Sequence, residues 1–145
     1  MLELDRELAR FEKLRPPDET EGARLGAMIF DERKVEAMVA ERCGVIEGMA
    51  IFWEGLGSSF RARPFLFLED LVVAETARST GVGEALMAEL AREGVRRNVM
   101  RIEWAVLDWN VDAIRFYRRI GAGPQKDWVR FALSEEQMRR LAERH

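Results

Sequence analysis

Residues 68–83 place an apolar strand, a short connection and a basic, glycine-bearing turn directly before a helix. The first N–H groups of a helix have no partner inside it, and the helix dipole adds roughly half a positive charge at that end. Gly81 and Gly83 lack a Cβ, so an anion can approach the backbone closely, and Arg78 adds a positive charge. The pattern predicts a strand–turn–helix unit that binds a pyrophosphate. The alternative interpretation is a flexible, glycine-containing turn that binds no ligand.

The glycine spacing excludes two other phosphate-binding motifs. A Walker A loop, Gly-x-x-x-x-Gly-Lys-Ser/Thr, is absent from the chain. A dinucleotide fingerprint requires a third small residue after Gly-x-Gly-x-x, and this chain has Leu86 at that position. What remains is Arg-x-x-Gly-x-Gly after a strand.

The bulk composition limits the other function classes. With 145 residues, the whole chain is expected to form one domain, and its net charge of −3 argues against a nucleic-acid binder. The only cysteine is Cys43 and the only histidine is the terminal His145, so we expect no internal disulfide, no Cys–His catalytic pair and no metal site. The absence of a signal peptide and of a membrane-length apolar run predicts a cytoplasmic protein without a membrane partner.

Hydrophobic periodicity predicts the remaining elements. Helices are expected over 2–14, 23–30, 82–97, 112–120 and 135–145, and strands over 35–41, 45–53, 65–73, 99–107 and 128–133. The tripeptide at 42–44 is typical of a hairpin turn, and residues 55–64 of a loop. Gly121 is a natural helix C-cap, and Ser134 with Gln137 resembles a capping box.

Two carboxylates, Glu69 and Asp70, interrupt the otherwise apolar strand at 65–73. In a regular strand they would point to opposite faces. Burying an unpaired carboxylate is costly, so each needs a cation, a donor or water. A carboxylate pair beside an anion site suggests an enzyme that joins a phosphorylated cofactor to a cationic substrate.

Taken together, the motifs resemble the GNAT superfamily of N-acetyltransferases. The run from Arg78 to Gly83 is similar to the coenzyme A pyrophosphate loop of that family, Gln/Arg-x-x-Gly-x-Gly/Ala. Leu-Asp-Trp-Asn at 107–110, Phe-Tyr at 116–117 and Gly-Ala at 121–122 are similar to its last motif. Leu-Glu-Asp at 68–70 resembles the spermidine/spermine acetyltransferase-like branch, and the run at 106–110 resembles the thialysine acetyltransferases within it.

The resemblance implies an α/β fold with a mixed, mostly antiparallel central sheet flanked by helices. Members usually begin with a strand that leads into the first helix, whereas residues 2–8 already match the middle of that helix. The usual first strand is therefore expected to be absent. A reading frame that starts late and a sheet edge filled by a partner subunit are both open explanations.

The cofactor implied by the resemblance is acetyl-CoA. Its pyrophosphate would be held by the anion turn, that is by Arg78, Ser79, Thr80, Gly81, Val82, Gly83 and Glu84. Its pantetheine arm would pair with the strand or lie against the last motif, through Leu71, Val72, Val73, Asn110, Ala113, Phe116 and Tyr117. Asn110 has an alternative role as a helix N-cap or turn residue.

The resemblance also implies catalytic roles. Glu69 would act as general base through water, and Tyr117, the only tyrosine, would protonate the leaving thiolate. Asp70 would bind the cationic amine. The alternatives are a structural ion pair for either carboxylate and a core aromatic for Tyr117.

Ser59 and Arg61 occupy the positions where polyamine-specific relatives carry an acidic and an aromatic residue. Arg61 would repel a long polyamine and favour a small, amino-acid-like amine. The expected activity is transfer of an acetyl group from acetyl-CoA to the primary amine of a diamine or lysine-like amino acid. Acetylation of protein lysines or N-termini, and a non-catalytic acyl-CoA-binding module, are the alternatives.

A homodimer is also expected, since the resembling enzymes are dimers. Trp128, Val129 and Phe131 would supply apolar surface for the interface, although a core location is an equal interpretation for at least one of them.

Overall fold

The computed structural model describes residues 1–144, so His145 lies outside the described residues. The chain forms two compact units, Met1–Leu107 and Asp108–His145. The single domain expected from the length stays a prediction. Within the described residues, no helix is both long enough and apolar enough to cross a membrane.

The first unit is built on a four-stranded sheet whose strand order follows the chain. Its strands are β1 (Glu36–Arg42), β2 (Val45–Ser58), β3 (Arg63–Val73) and β4 (Ile102–Trp104). β1 with β2 and β2 with β3 are antiparallel, whereas β3 and β4 are parallel. The mixed, mostly antiparallel sheet expected from the sequence is confirmed, as is the hairpin turn at Cys43 and Gly44.

Helices cover both faces of this sheet. They are α1 (Leu2–Phe11), α2 (Glu19–Phe30) and α3 (Val82–Arg96). On one face, Leu4 of α1 packs with Ile51 and Val72, and Leu25 of α2 joins the same cluster. On the other face, Leu86 of α3 packs against the neighbouring Leu71 and Val73. This division follows from the alternation of side chains along β3.

The ends of α1 and α2 differ from the sequence prediction. α1 stops at Phe11 because Lys13 adopts a left-handed conformation, with φ 61°, and the Leu14 N–H bonds back to the Ala9 carbonyl at 2.8 Å. α2 begins four residues earlier than expected. Asp18 and Glu21 form a capping box there, each side chain accepting a bond from the other residue's backbone N–H at 2.9 Å.

The loop expected over 55–64 is wrong: β2 continues to Ser58, β3 starts at Arg63, and only residues 59–62 form a turn. The glycines serve close cross-strand packing instead of a loop. A Cβ on Gly55 would lie 2.5 Å from Cε1 of Phe65, and one on Gly57 would lie 3.1 Å from the Arg63 carbonyl oxygen.

β4 is shorter than the strand expected over 99–107. It pairs only with residues 66–68 of β3. Before it, the Val99 N–H bonds to the Gly94 carbonyl and the Met100 N–H to the Pro64 carbonyl, so these residues belong to the connection from α3. After it, β3 bulges at Glu69 and the ladder ends.

As far as residue 144, the second unit contains two helices, α4 (Val111–Arg119) and α5 (Glu135–Ala142). Gly121, with φ 94°, ends α4 as expected, and the Ser134–Gln137 capping box opens α5. The strand expected over 128–133 is wrong. Its β-prone residues have no ladder partner among the described residues, and a strand requires a neighbour to satisfy its backbone.

Candidate active site

Glu69 and Asp70 lie at a β-bulge in β3. Ile51 of β2 is opposite Asp70 and the next residue, Phe52, is opposite Leu68, so Glu69 is the extra residue. The strand is therefore not regular here, and the opposite faces expected for a regular strand do not apply. Asp70 faces α1 and α2, and Glu69 accepts a hydrogen bond at 3.2 Å from Nε1 of Trp53, two residues after Ile51. Both carboxylates thus lie on the α1/α2 side of the sheet.

Asp70 forms the floor of a cleft of about 250 Å³ between α1 and α2, which we call the acidic cleft. Its other carboxylates are Asp5, Glu12 and Glu21, and no Lys or Arg of the described chain lines it. Glu21 already pairs with Arg15, which lies outside the lining, so Asp5, Glu12 and Asp70 supply most of its negative charge. Burial, together with the charges of Asp5, Glu69 and Glu12, raises the pKa of Asp70 to about 6. Burial also raises the pKa of Asp5. The cleft favours a positively charged occupant.

The anion turn, residues 78–84, joins the end of β3 to α3. Between β3 and the turn lies a single 3₁₀ turn, Glu75–Ala77, and the Thr80 hydroxyl donates to the Ala77 carbonyl at 2.6 Å. Gly81 adopts φ 91°, and a Cβ there would meet nothing within 4 Å. The backbone at Gly81 is therefore both left-handed and open on that side, as the sequence predicts for an anion site.

The start of α3 has no side-chain cap. Helix α1 likewise has no side-chain cap, whereas α2, α4 and α5 are capped by Asp18, Asn110 and Ser134. The first N–H groups of α3 follow directly on Gly81, and a bound anion is a partner that helix starts commonly accept. The turn fits the pyrophosphate of coenzyme A on this observation.

Arg78 does not stand alone at the turn. Its Nη2 donates to Oε1 of Glu7 at 3.1 Å and its Nε to the Val73 carbonyl at 3.4 Å. Its guanidinium lies 5.8 Å from the centre of the Phe11 ring. Arg78, the side chain predicted to bind the pyrophosphate, is therefore held against α1.

Past Leu68, β3 loses its neighbour on one side. β4 pairs only with residues 66–68, so among the described residues no strand covers that edge of β3 from Glu69 to Val73. Leu71 and Val73 pair with Ala50 and Gly48 of β2 on the other edge. The family resemblance implies that the pantetheine arm pairs with this stretch of β3, as if it were an extra strand.

Ser59 and Arg61 lie in the turn between β2 and β3, where the Arg61 N–H donates to Oγ of Ser58 at 3.2 Å. Asp70 lies seven residue steps along β3 from Arg63, a span of about 20 Å, and Ser59 and Arg61 lie in the turn before Arg63. Within one chain, the fold does not bring Ser59 or Arg61 to the carboxylate pair.

From Asp108 onward, the residues of the last motif lie in the second unit. Oδ1 of Asn110 caps α4 by accepting from the Ala113 N–H at 3.2 Å, so the alternative role foreseen for Asn110 is observed. The rings of Phe116 and Tyr117 are half-buried and 5.3 Å apart. The Ala122 N–H donates to the Tyr117 carbonyl at 3.0 Å, so Tyr117 lies in the last turn of α4.

A model of the acetyltransferase (GNAT) family matches residues 2–122. The chain belongs to this family. It is 30% identical to the thialysine N-epsilon-acetyltransferase of Mus musculus, over 99% of this chain and 91% of that protein. It is 38% identical over 84 residues to the L-ornithine N5-acetyltransferase NATA1 of Arabidopsis thaliana, a match that spans 58% of this chain and only 36% of that relative.

Among solved structures, an integron cassette protein from the mobile metagenome of V. cholerae superposes with a TM-score of 0.85. The two chains are 22% identical, and the alignment covers 98% of this chain and 89% of the other. This likeness confirms the fold. The family and the branch inferred from the sequence motifs are confirmed by the family match and the thialysine acetyltransferase relative.

Two parts of the candidate site in this GNAT-family chain are absent from the sequence predictions. One is Trp53, which holds Glu69. The other is the helical share of the acidic cleft, although Asp5, Leu8 and Glu12 are spaced three and four residues apart and so share one side of α1. That spacing was the available signal. Within residues 1–144, no three His, Cys, Asp or Glu side chains are grouped as metal ligands would be.

Proposed function

We propose that the chain transfers the acetyl group of acetyl-CoA to the primary amine of a small cationic acceptor, a diamine or a lysine-like amino acid. The observation that carries this proposal is the position of Glu69 and Asp70. They lie at the bulge where β3 loses its β4 neighbour, on the side of the acidic cleft. An open strand edge for the cofactor and an acidic floor for the amine thus adjoin each other.

The anion turn supports the cofactor part of the proposal. It offers the uncapped start of α3, the open left-handed Gly81 and the guanidinium of Arg78. Ser79, with φ 61°, and Thr80 shape the turn, and the N–H groups of Val82, Gly83 and Glu84 begin the helix. Asn110, Ala113 and Phe116 are proposed to line the pantetheine arm.

The carboxylates support the acceptor part. Free primary amines are cations at neutral pH, with pKa near 10. The acidic cleft attracts such a cation, and Asp70, with its pKa raised to about 6, is ionised at pH 7. Thialysine and ornithine, in the names of two relatives, are small amino acids with a terminal amine.

In the proposed reaction, bound acetyl-CoA supplies an activated acetyl thioester. Glu69, its carboxylate oriented by the Trp53 Nε1–H, takes the proton that the acceptor ammonium must lose, directly or through water. Asp70 holds the cation at the cleft floor. The neutral amine would attack the thioester carbonyl, so that a C–N bond forms as the C–S bond breaks. The Tyr117 hydroxyl would give a proton to the leaving thiolate and regain one from the nitrogen of the new amide, while Glu69 releases its proton to water.

The test is an amine panel with detection of the released thiol. Ornithine, lysine, thialysine, 1,4-diaminobutane and spermidine are compared with an N-terminal peptide and a lysine peptide. Small amines should be acetylated, and both Glu69→Gln and Tyr117→Phe should reduce turnover by about 10²-fold while coenzyme A binding stays intact. Turnover of the peptides alone would favour a protein acetyltransferase. Binding of coenzyme A without any turnover would favour a non-catalytic module.

We also propose a homodimer. Trp128, Val129 and Phe131 are 79%, 78% and 93% exposed in the single chain, an apolar surface that a second copy would cover. A partner chain would also be able to supply Arg61 to an acceptor that the same chain's Arg61 cannot reach. Light scattering should give about twice the 16.7 kDa chain mass. A monomer that acetylates small amines would contradict the dimer.

A further inference from the structure

Helix α1 reaches the anion turn through two residues of one face, Glu7 and Phe11. Oε1 of Glu7 accepts two hydrogen bonds, from the backbone N–H of Glu75 at 2.9 Å and from Nη2 of Arg78 at 3.1 Å. The Phe11 ring, one helical turn further on, lies beneath the guanidinium of Arg78. A carboxylate from α1 therefore already pairs with the arginine assigned to the cofactor.

This pair is open to an incoming anion. The side chain of Arg78 is 46% exposed and that of Glu7 is 28% exposed. A guanidinium has five N–H donors, and here one Nη2–H serves Glu7 while the Nε–H serves the Val73 carbonyl. An anion that binds Arg78 meets the negative charge of Glu7 at about 3 Å from the same nitrogen, and the two anions repel each other.

We infer that Glu7 is a further residue of the cofactor site: a counter-anion that competes with the pyrophosphate of coenzyme A for Arg78 and so sets the affinity for the cofactor. The inference rests on the proposed function, since it requires coenzyme A to bind at the anion turn. A purely structural Glu7, which only docks α1, makes a different prediction. Its loss would lower stability without discriminating between ligands with and without phosphate.

The test is Glu7→Gln, which removes the charge and keeps an oxygen for both hydrogen bonds. Titration calorimetry at low salt should show coenzyme A binding about two- to fivefold more tightly, the size expected for a partly exposed ion pair. The gain should shrink at high salt, because screening weakens both the pair and its competition. Pantetheine, which has the same arm without the pyrophosphate, should bind the variant and the wild type equally.

Further variants serve as controls. Glu3→Gln is the matched control: it removes a carboxylate from the same helix, where Glu3 pairs with Arg6 at 2.5 Å, and should leave the coenzyme A affinity unchanged. Glu7→Ala removes the same charge and should also tighten binding, so the proposal does not depend on one variant folding well. In an Arg78→Gln background, Glu7→Gln should lose most of its effect.

The outcomes are distinguishable. An unchanged or weaker coenzyme A affinity in Glu7→Gln, with binding by the wild type, overturns this inference alone. An equal gain for coenzyme A and pantetheine also overturns it. A wild-type protein that does not bind coenzyme A overturns the proposed function and this inference with it.

Discussion

The acidic cleft and the anion turn share β3, which carries Asp70 and leads toward the turn, yet they are built in different ways. The turn is local: one run of residues, 78–84, supplies its glycine, its arginine and its helix start. The cleft is assembled from α1, α2 and β3, with Asp5 and Asp70 far apart in sequence. Their charges are also opposite, and each suits one proposed ligand: pyrophosphate for the turn, an ammonium for the cleft. Local backbone geometry makes the first site, and tertiary packing makes the second.

The largest expected effect on ligand binding comes from a substitution in the anion turn, at Gly81. Gly81→Val places a β-branched side chain at φ 91° on the open side of the turn, where it strains the backbone and blocks the approach of an anion. Coenzyme A affinity should fall by about tenfold or more, given that the uncapped N–H groups of α3 follow this residue. Fluorescence or calorimetric titration measures the change.

Gly44→Val is the matched control for backbone strain. Gly44 adopts φ 80° at the tip of the β1–β2 hairpin, and a Cβ there also meets nothing within 4 Å. Both variants should lose stability, and only Gly81→Val should lose coenzyme A affinity. Equal cofactor affinity in the two variants would remove the anion turn from the site.

The difference between local and tertiary features also explains which parts of the structure the sequence predicted well. The anion turn, the hairpin tip at Cys43 and Gly44, and the cap at Ser134 depend on neighbouring residues, and all three appear where their residue types predict them. Their energetics are local, so a short motif contains most of the information.

Features that depend on distant partners were predicted poorly. The strand expected over 128–133 fails because nothing in its own residues specifies a neighbour. The bulge at Glu69 depends on the register between β2 and β3, and it decides that Glu69 and Asp70 share one side of the sheet. The acidic cleft likewise required the packing of α1 and α2 over β3 before Asp5 and Glu12 came near Asp70.

The burial of Asp70 in the acidic cleft should change how the free energy of unfolding depends on pH. Native Asp70 keeps its proton up to about pH 6, whereas in the unfolded chain it loses it near pH 4. As the pH rises through this window, the native state comes to hold an unfavourable charge and the free energy of unfolding falls. Asp70→Asn removes that charge, so above pH 6 it should be more stable than the wild type, by at most about 3 kcal/mol.

Urea denaturation at pH 4, 5, 6 and 7.5 measures this difference. Asp31→Asn, at an exposed residue after α2, is the matched control and should follow the wild-type pH dependence. An Asp70→Asn variant that is less stable than the wild type at pH 7.5 would mean that Asp70 has a stabilising cationic partner, and the cleft would no longer favour a cationic acceptor.

The smallest expected effect concerns Arg61, the one basic residue assigned to the acceptor side. In an amino-acid acceptor, the cleft would hold the ammonium, and an arginine would bind the carboxylate at the other end. Arg61→Ala should therefore raise KM for ornithine by about two- to fivefold, the scale of an exposed ion pair, and leave KM for 1,4-diaminobutane unchanged.

Arg92→Ala, at an exposed arginine of α3 that pairs with Glu89, is the control. Arg61 lies in the turn before Arg63, and Arg63 is itself about 20 Å along the strand from Asp70, so the effect requires a second chain. An equal change for both amines would separate Arg61 from acceptor choice and leave the acidic cleft as the sole source of selectivity.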